Sequence, residues 1–219
     1  MSAEIELTPT LMLRAYAVGI FPMARSATDD TLAWFDPDPR GVLPLDAFHI
    51  PRRLARTVRS GRYRVTADTA FAHVIDACAE STEERPSTWI NGPIRSLCVD
   101  LHAMGYAHAI EVWDGAALVG GLYGVALGGA FFGESMFSRA RDASKVALVH
   151  LVARLRQCGF TLLDTQFATE HLAQFGATEI PRAAYRRQLA QAIGLGCSFQ
   201  CGDVEDAVAS AGQSTTEMS

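Results

Sequence analysis

An aspartate and a glutamine two positions apart, Asp164 and Gln166, end a short apolar run, Leu162-Leu163-Asp164-Thr165-Gln166. In a strand, that spacing places both side chains on one face of the sheet. A carboxylate beside an amide at a strand's end has the parts to hold an incoming amine and polarise a carbonyl. The same pair could instead cap the following helix, and spacing alone does not choose. Glu134 stands among Phe131, Phe132, Met136 and Phe137, an apolar setting in which a carboxylate needs a partner. An ion pair with Arg139 or Lys145 is the plainest expectation. Arg52, Arg53, Arg56, Arg59, Arg62 and Arg64 follow one another with no intervening acid, so a chain of net charge -5 carries +6 here and -11 elsewhere. On a helix Arg52, Arg56 and Arg59 share a face. Clustered guanidinium groups suit a polyanion, although a solvated helix face has the same pattern. Trp34 and Phe35 lie beside a Pro-Asp stretch and Trp89 follows a charged loop. Such rings stack unpaired bases or form part of a core.

Other chemistries fail on their residues. There is no Walker loop, and the glycines of Gly120-Gly121-Leu122-Tyr123-Gly124 fall in a hairpin, not at a strand-to-helix turn. No nucleotide cofactor is expected. Cys197 and Cys201 lack downstream histidines, so no metal site is expected either. Gly133-Glu134-Ser135-Met136-Phe137 has phenylalanine where a nucleophile elbow needs its second glycine, which argues against a serine hydrolase. The six histidines show no pairing.

The elements that must position these residues are legible in outline. Thr8 and Pro9 open a helix that Gly19 ends. The Pro- and Asp-rich stretch from Phe21 to Arg40 cannot hold helix or central strand. A short strand near Gly41–Leu45 and an Arg-rich helix near Pro51–Ser60 follow. Next come a strand near Tyr63–Thr66, a helix from Asp68 to Ala79, and a helix capped by Asn91. His108–Trp113 alternates as a strand, Asp114-Gly115 makes a two-residue hairpin turn, and Ala117–Ala126 is the return strand. A third strand at Ala130–Phe137, a helix over Ala143–Cys158, a strand over Phe160–Gln166 and helices near Glu170 and Pro181–Ile193 complete an α+β order. The organisation expected is an N-terminal module over 1–65, a catalytic domain over 66–202 and a flexible tail over 203–219. Apolar residues are 49% of 219 and charged residues 20%, enough for a buried core. No run of eighteen apolar residues and no signal peptide is present, so neither membrane nor export is expected. Five scattered cysteines suit free thiols in a reducing cytoplasm.

Eight strings, taken together, carry a resemblance: Ala15–Met23, Trp34–Arg40, Thr88–Ile90, Gly120–Val125, Gly133–Ser138, Ala143–Lys145, Leu163–Gln166 and Gly176–Arg182. In type and order they resemble the leucyl/phenylalanyl-tRNA–protein transferases, over about residues 8 to 190. The resemblance implies a GNAT-like catalytic domain behind a small N-terminal domain. It implies transfer of Leu or Phe, with Met as a further candidate, from Leu-tRNA or Phe-tRNA to proteins with N-terminal Arg or Lys, marking them for N-end-rule degradation. An activated ester needs no cofactor, and a cytoplasmic monomer is implied. By the same resemblance Asp164 and Gln166 are the catalytic pair, and Glu134 meets the acceptor peptide. Leu122, Phe131, Met136 and Leu148 form the aminoacyl pocket. Trp34 and Trp89 stack the tRNA 3′ end, and Arg52, Arg53, Arg56, Arg59, Arg62 and Arg64 hold the tRNA backbone. The sequence departs from the family's pattern at Phe35, where many members have tryptophan, at Cys98, where tyrosine is common, and at Ala109, where serine is. An acetyl-CoA-dependent acetyltransferase would need glycines in the loop that reads Arg139–Ser144 here. An RNA-binding adaptor would leave Asp164 and Gln166 without purpose.

Overall fold

The Thr8 hydroxyl accepts the Leu11 N–H at 3.2 Å, and Pro9, with no N–H to lose, starts the first helix, α1 (Pro9–Ala17). The computed structural model describes residues 7–29, 31–82, 86–202, 204 and 207–208. Behind α1 the Pro-Asp-rich stretch forms a two-stranded antiparallel sheet of β1 (Phe21–Ala24) and β2 (Leu32–Phe35), with Pro22 opposite Trp34. Proline excludes a central strand, and neither strand here has a second neighbour. Then follow β3 (Arg40–Val42), α2 (Arg52–Arg59), β4 (Arg64–Ala67), α3 (Phe71–Ala79) and α4 (Gly92–Ala103). The three long strands are β5 (Ala107–Asp114), β6 (Ala117–Leu127) and β7 (Ala130–Ser138). The chain closes with α5 (Ala143–Gln157), β8 (Leu162–Gln166), α6 (Glu170–Ala173), β9 (Thr178–Ile180) and α7 (Arg182–Ile193).

Side-chain hydrogen bonds set several boundaries. Asn91 Oδ1 accepts the Ile94 N–H at 2.9 Å and caps α4. The helix expected from Asp68 starts only at Phe71, because Asp68 is tied to β5: its Oδ1 accepts the Ala109 N–H and its Oδ2 meets the His108 ring. The buried Glu111 accepts the N–H groups of Thr69 and Ala70 and so serves the start of α3 from a neighbouring strand. Asp114 pairs with Ala117, which moves the hairpin turn one residue on, to Gly115-Ala116.

Seven strands make one mixed sheet in the order β4-β5-β6-β7-β8-β3-β9. Its pairs are antiparallel except β7 with β8. The class is α+β, with helices on both faces. Period-two alternation sends Leu122, Phe131 and Leu163 into one core under α5 and α2. Tyr123 and Phe132 enter the other core with α1, α3, α4 and α7. Asp164 is level with Phe132 in the register. Although β3 and α2 lie within residues 1–65, β3 bonds between β8 and β9, and α2 packs on α5. Most of the expected tail lies outside the described residues, but Val204 and Val208 are buried against Ala153. The cysteines are not all free thiols: Cys158 and Cys201 form a disulfide that holds the chain's later part against the end of α5.

One feature of the topology positions the site. β7 and β8 pair only at Ala130↔Leu162, Phe131↔Leu163 and Phe132↔Asp164. Beyond that point β7 stays with β6, and β8 stays with β3. The two parallel strands therefore part at their C-terminal ends.

Candidate active site

A cavity of ≈ 750 Å³ opens where β7 and β8 separate, a size that accepts a ligand with an aromatic side chain. Because the gap runs through the sheet, both cores line it. Leu122, Met136, Leu148 and Leu163 come from the α5 side, and Phe21, Met23 and Trp89 from the other. Its polar groups are few and include Glu134, Thr165, Gln166 and His171. An apolar chamber with a few polar groups at its rim is the usual form of a small-molecule site.

Asp164 does not line this cavity. It points to the opposite face and is 0% exposed. Arg40, also 0% exposed, grips it in a fork, with Nε donating to Oδ1 at 3.0 Å and Nη2 to Oδ2 at 2.6 Å. The Tyr185 hydroxyl donates to Oδ2 at 2.6 Å, and the Gln166 backbone N–H donates to Oδ1 at 2.8 Å. Four donors on two oxygens use the carboxylate's acceptor capacity in full. The remaining arginine donor, Nη1, reaches the Gly19 carbonyl at 2.8 Å, and the guanidinium lies between the rings of Phe21 and Tyr185. Burial works against the Arg40 charge, yet the hydrogen bonds it donates to Asp164, with the Asp164 charge, outweigh it and hold the guanidinium's pKa above the usual arginine value. Burial, then the Asp164 charge, drives the Tyr185 hydroxyl far above the ordinary tyrosine range, so it remains a donor.

Gln166 does face the cavity. Strand alternation would have put its side chain beside Asp164, but its φ is +59°, in the left-handed region, and this turns it out of the strand pattern. Its backbone N–H bond to Asp164 holds that strained conformation. Gly41, opposite Gln166, completes the fit: a Cβ there would run into the backbone of Phe167 and Ala168. The Gln166 amide nitrogen Nε2 is buried and has no hydrogen-bond partner among the described residues. An unpaired amide donor on an apolar cavity is costly unless a ligand oxygen satisfies it.

Glu134 is half-buried on β7 and lines the cavity. Its partner is neither Arg139, which pairs with Glu80, nor Lys145, which pairs with Asp142. The Tyr16 hydroxyl on α1 donates to Glu134 Oε1 at 2.7 Å. Burial pushes the Glu134 carboxyl up to about 7, the Tyr16 hydrogen bond pulls it down, the Asp164 charge raises it and Arg40 lowers it.

The other expected site residues divide by place. Leu122, Met136, Leu148 and Trp89 line the cavity. Phe131 does not: it is fully buried beneath, stacked on Phe199. Trp34 is 40% exposed on β2, outside the lining, but belongs to the hairpin whose Phe21 and Met23 enter it. Beside Trp34, Phe35 stacks on Phe21 at 5.8 Å, and Phe21 meets the 46%-exposed Phe167 edge-on at 6.1 Å. An exposed aromatic rim thus borders the chamber. The six arginines are exposed on α2 and the following turn and strand, and none lines the chamber. Arg53 approaches Asp142 at 3.9 Å and Arg62 approaches Asp114 at 3.7 Å, while Arg59 and Arg64 border a second hollow of ≈ 540 Å³. Arg40, Tyr185, Tyr16 and Gly41 were missed as site residues by sequence reasoning. Only their place inside or beside the matching strings marked them. Among the described residues no group of three His, Cys, Asp or Glu could hold a metal, and no helix is long and apolar enough to cross a membrane.

Comparison with known proteins shows the family. Residues 42–190 match the family described as Leucyl/phenylalanyl-tRNA protein transferase, and residues 5–38 match its N-terminal domain. A leucyl/phenylalanyl-tRNA–protein transferase of Paramagnetospirillum magneticum is 63% identical over 187 residues, 85% of this chain and 90% of that one. One from Afipia carboxidovorans is 60% identical over 198 residues, 90% of this chain and 87% of that one. Among solved structures, L-PGS from Bacillus licheniformis aligns with a TM-score of 0.40 at 12% identity, covering 80% of this chain and 60% of that one, too distant a likeness to assign a fold family. On the two sequence matches, which together run from residue 5 to residue 190, the chain belongs to the leucyl/phenylalanyl-tRNA–protein transferase family and is an aminoacyltransferase.

Proposed function

We propose that the protein moves Leu or Phe, and also Met, from aminoacyl-tRNA to the N-terminal Arg or Lys of acceptor proteins. It works as a cytoplasmic monomer with a GNAT-like sheet, and its product is marked for N-end-rule degradation. The acceptor nitrogen attacks the ester carbonyl, the C–N bond forms, the C–O bond to the tRNA ribose breaks, and the ribose oxygen leaves with a proton. No nucleotide or metal is needed, because the ester already carries the activation.

The donor side chain occupies the chamber lined by Leu122, Met136 and Leu148, with Phe131 setting its floor from below. Gln166 Nε2 donates to the ester carbonyl as negative charge grows there. Asp164 acts as a positioning residue: saturated by Arg40, Tyr185 and the Gln166 N–H, it holds the glutamine in its turned conformation. Trp89, from the lining, and Trp34, from the rim, stack the terminal adenosine, and Phe167 adds a further ring beside them. Glu134 receives the cationic terminus of the acceptor. Arg52, Arg53, Arg56, Arg59, Arg62 and Arg64 hold the tRNA backbone farther out. The observation that carries the reading is a lone amide donor on an apolar chamber of amino-acid size.

The test is incubation with labelled Phe-tRNA and an acceptor beginning with Arg, without ATP or acetyl-CoA. Label is expected on the acceptor. Label that stays on tightly bound tRNA, or transfer that requires acetyl-CoA, would overturn the reading.

A further inference from the structure

An amine must be neutral to attack an ester, and free α-amino groups have pKa values of about 7.7–8.0. A charged acceptor terminus that enters the chamber must therefore give up a proton inside it. Asp164 is the carboxylate nearest in sequence to Gln166, but it is sealed from the chamber and each of its acceptor sites is filled. Glu134 is placed differently. Only Oε1 is engaged, by Tyr16, and no hydrogen bond from the described residues reaches Oε2 on a side chain that lines the cavity.

We propose that Glu134 is the proton acceptor for the acceptor's α-ammonium, with Tyr16 as the residue that positions and tunes it. This rests on the transferase reading above. The ammonium docks against Glu134, an N–H bond breaks, its proton passes to Oε2 and its electron pair stays on nitrogen. The freed lone pair then attacks the ester carbon.

The surroundings suit this transfer. The groups that face Glu134 are Tyr16 on α1, Tyr123 on β6, Cys98 on α4, Asp164 on β8 and Arg40 on β3. Burial holds both tyrosines and the Cys98 thiol well above their usual values, so these three stay neutral. Asp164 and Arg40 are paired with each other. The chamber thus offers Glu134 no bound cation of its own, and the arriving ammonium supplies one. A carboxyl raised to about 7 faces an amine of about 7.7–8.0, so moving the proton from one to the other is uphill by only about tenfold. To an ordinary glutamate of about 4.3 the same step is uphill by about several thousandfold. His171 also lines the chamber, with Nε2 unpaired, and burial lowers its pKa. It packs edge-on against Phe175 beside Lys145, which places it on the α5 side of the chamber, away from Tyr16 and Glu134.

Single-turnover transfer from Phe-tRNA to a saturating Arg-initiated peptide, followed from pH 6 to 9, tests the assignment. With Glu134→Gln, which can still accept from Tyr16, the enzyme depends on amine neutralised by solvent. The deficit should be small at pH 6, where only about one Glu134 in ten is ionised, grow by up to about 8-fold towards pH 7.5, and shrink again at pH 9, where the amine is neutral without help. Tyr16→Phe removes the bond that lowers Glu134, so the wild-type inflection should move to higher pH with transfer retained. A Glu134→Gln deficit that is constant across pH would mean that Glu134 only binds, and would overturn the proposal. So would an inflection that vanishes in His171→Asn, or one that Tyr16→Phe leaves in place. If the wild-type protein transfers no label at any pH, the transferase reading itself fails, whatever the variants do.

Discussion

Replacing Gln166 with glycine should make the protein more stable and much less active. Gln166 holds a left-handed φ of +59°, a strain of about 1–2 kcal/mol for a residue with a Cβ. Its amide nitrogen is buried without a partner, which costs about 1–3 kcal/mol. Glycine removes both penalties. Against this stand its greater freedom when unfolded, about 0.5–1 kcal/mol, and the loss of two buried methylenes at about 0.8 kcal/mol each. Central values leave about 1 kcal/mol in favour of glycine, which for a domain of this size raises Tm by about 2–4 °C. Gln166→Ala keeps the strained backbone, so the difference between the two variants reports the strain less glycine's unfolded-state freedom and one buried carbon. Differential scanning calorimetry measures the stability, and single-turnover transfer measures the activity. The rate should fall by about 10²–10³-fold, the effect of losing one donor to a developing oxyanion. A Gln166→Gly protein that unfolds more easily by about 1 kcal/mol or more, or that transfers at the wild-type rate, would show that the side chain is an ordinary structural amide.

Further outcomes follow from the same geometry. Asp164→Ala leaves the fully buried Arg40 charge without its carboxylate and should cost about 3–5 kcal/mol in urea unfolding. The joint Arg40→Met, Asp164→Leu variant should recover most of that loss, and a loss below about 1 kcal/mol in the single variant would refute the buried pair. Glu134, raised on folding from 4.5 to about 7, contributes stability that is fully present below its unfolded pKa and is lost as pH rises through about 7. The stability of Glu134→Gln relative to wild type should therefore grow by about 3 kcal/mol between about pH 4.5 and pH 8, and equal stability curves would contradict the raised value. Combined Arg52→Ala, Arg56→Ala and Arg59→Ala should reduce the salt dependence of tRNA binding by up to about 0.9 in log–log slope for each phosphate no longer neutralised. An unchanged slope in filter binding would remove these arginines from the tRNA path.

Much of the fold was legible because the chain's local chemistry agrees with its tertiary packing. Thr8, before Pro9, and Asn91 mark helix starts that their side chains in fact cap, and the alternation of His108–Trp113 with the turn that follows marks β5 and its return strand β6. Where long-range bonds set a boundary, local reading slipped. Asp68 looks like a helix start but is bound to β5. The three-residue β3 and β9 are too short to have a period. The site was legible by residue type and less so by direction. Asp164 and Gln166 are separated onto different sides by one positive φ, which no spacing rule anticipates. Arg40 reads as a loop residue after Asp38-Pro39, because nothing local shows that its carboxylate partner lies 124 positions later.

The two kinds of carboxylate in this site answer one physical problem. The transfer needs a donor fixed tightly enough to meet a developing oxyanion, and a proton acceptor loose enough to change charge in each cycle. A single carboxylate cannot do both, since the bonds that immobilise it also occupy the lone pairs that a proton would need. The sheet separates the tasks at the point where β7 and β8 part. On the β8 side, β3 supplies Arg40 to saturate Asp164 and, in the next residue, Gly41 to admit the backbone beyond Gln166. Strain at Gln166 persists because its surroundings over-determine it. On the β7 side, Glu134 has one hydrogen bond and an open oxygen among the described residues. The three residues of β3 thus decide which carboxylate is locked. Divergence of the strands leaves the other free to face the chamber.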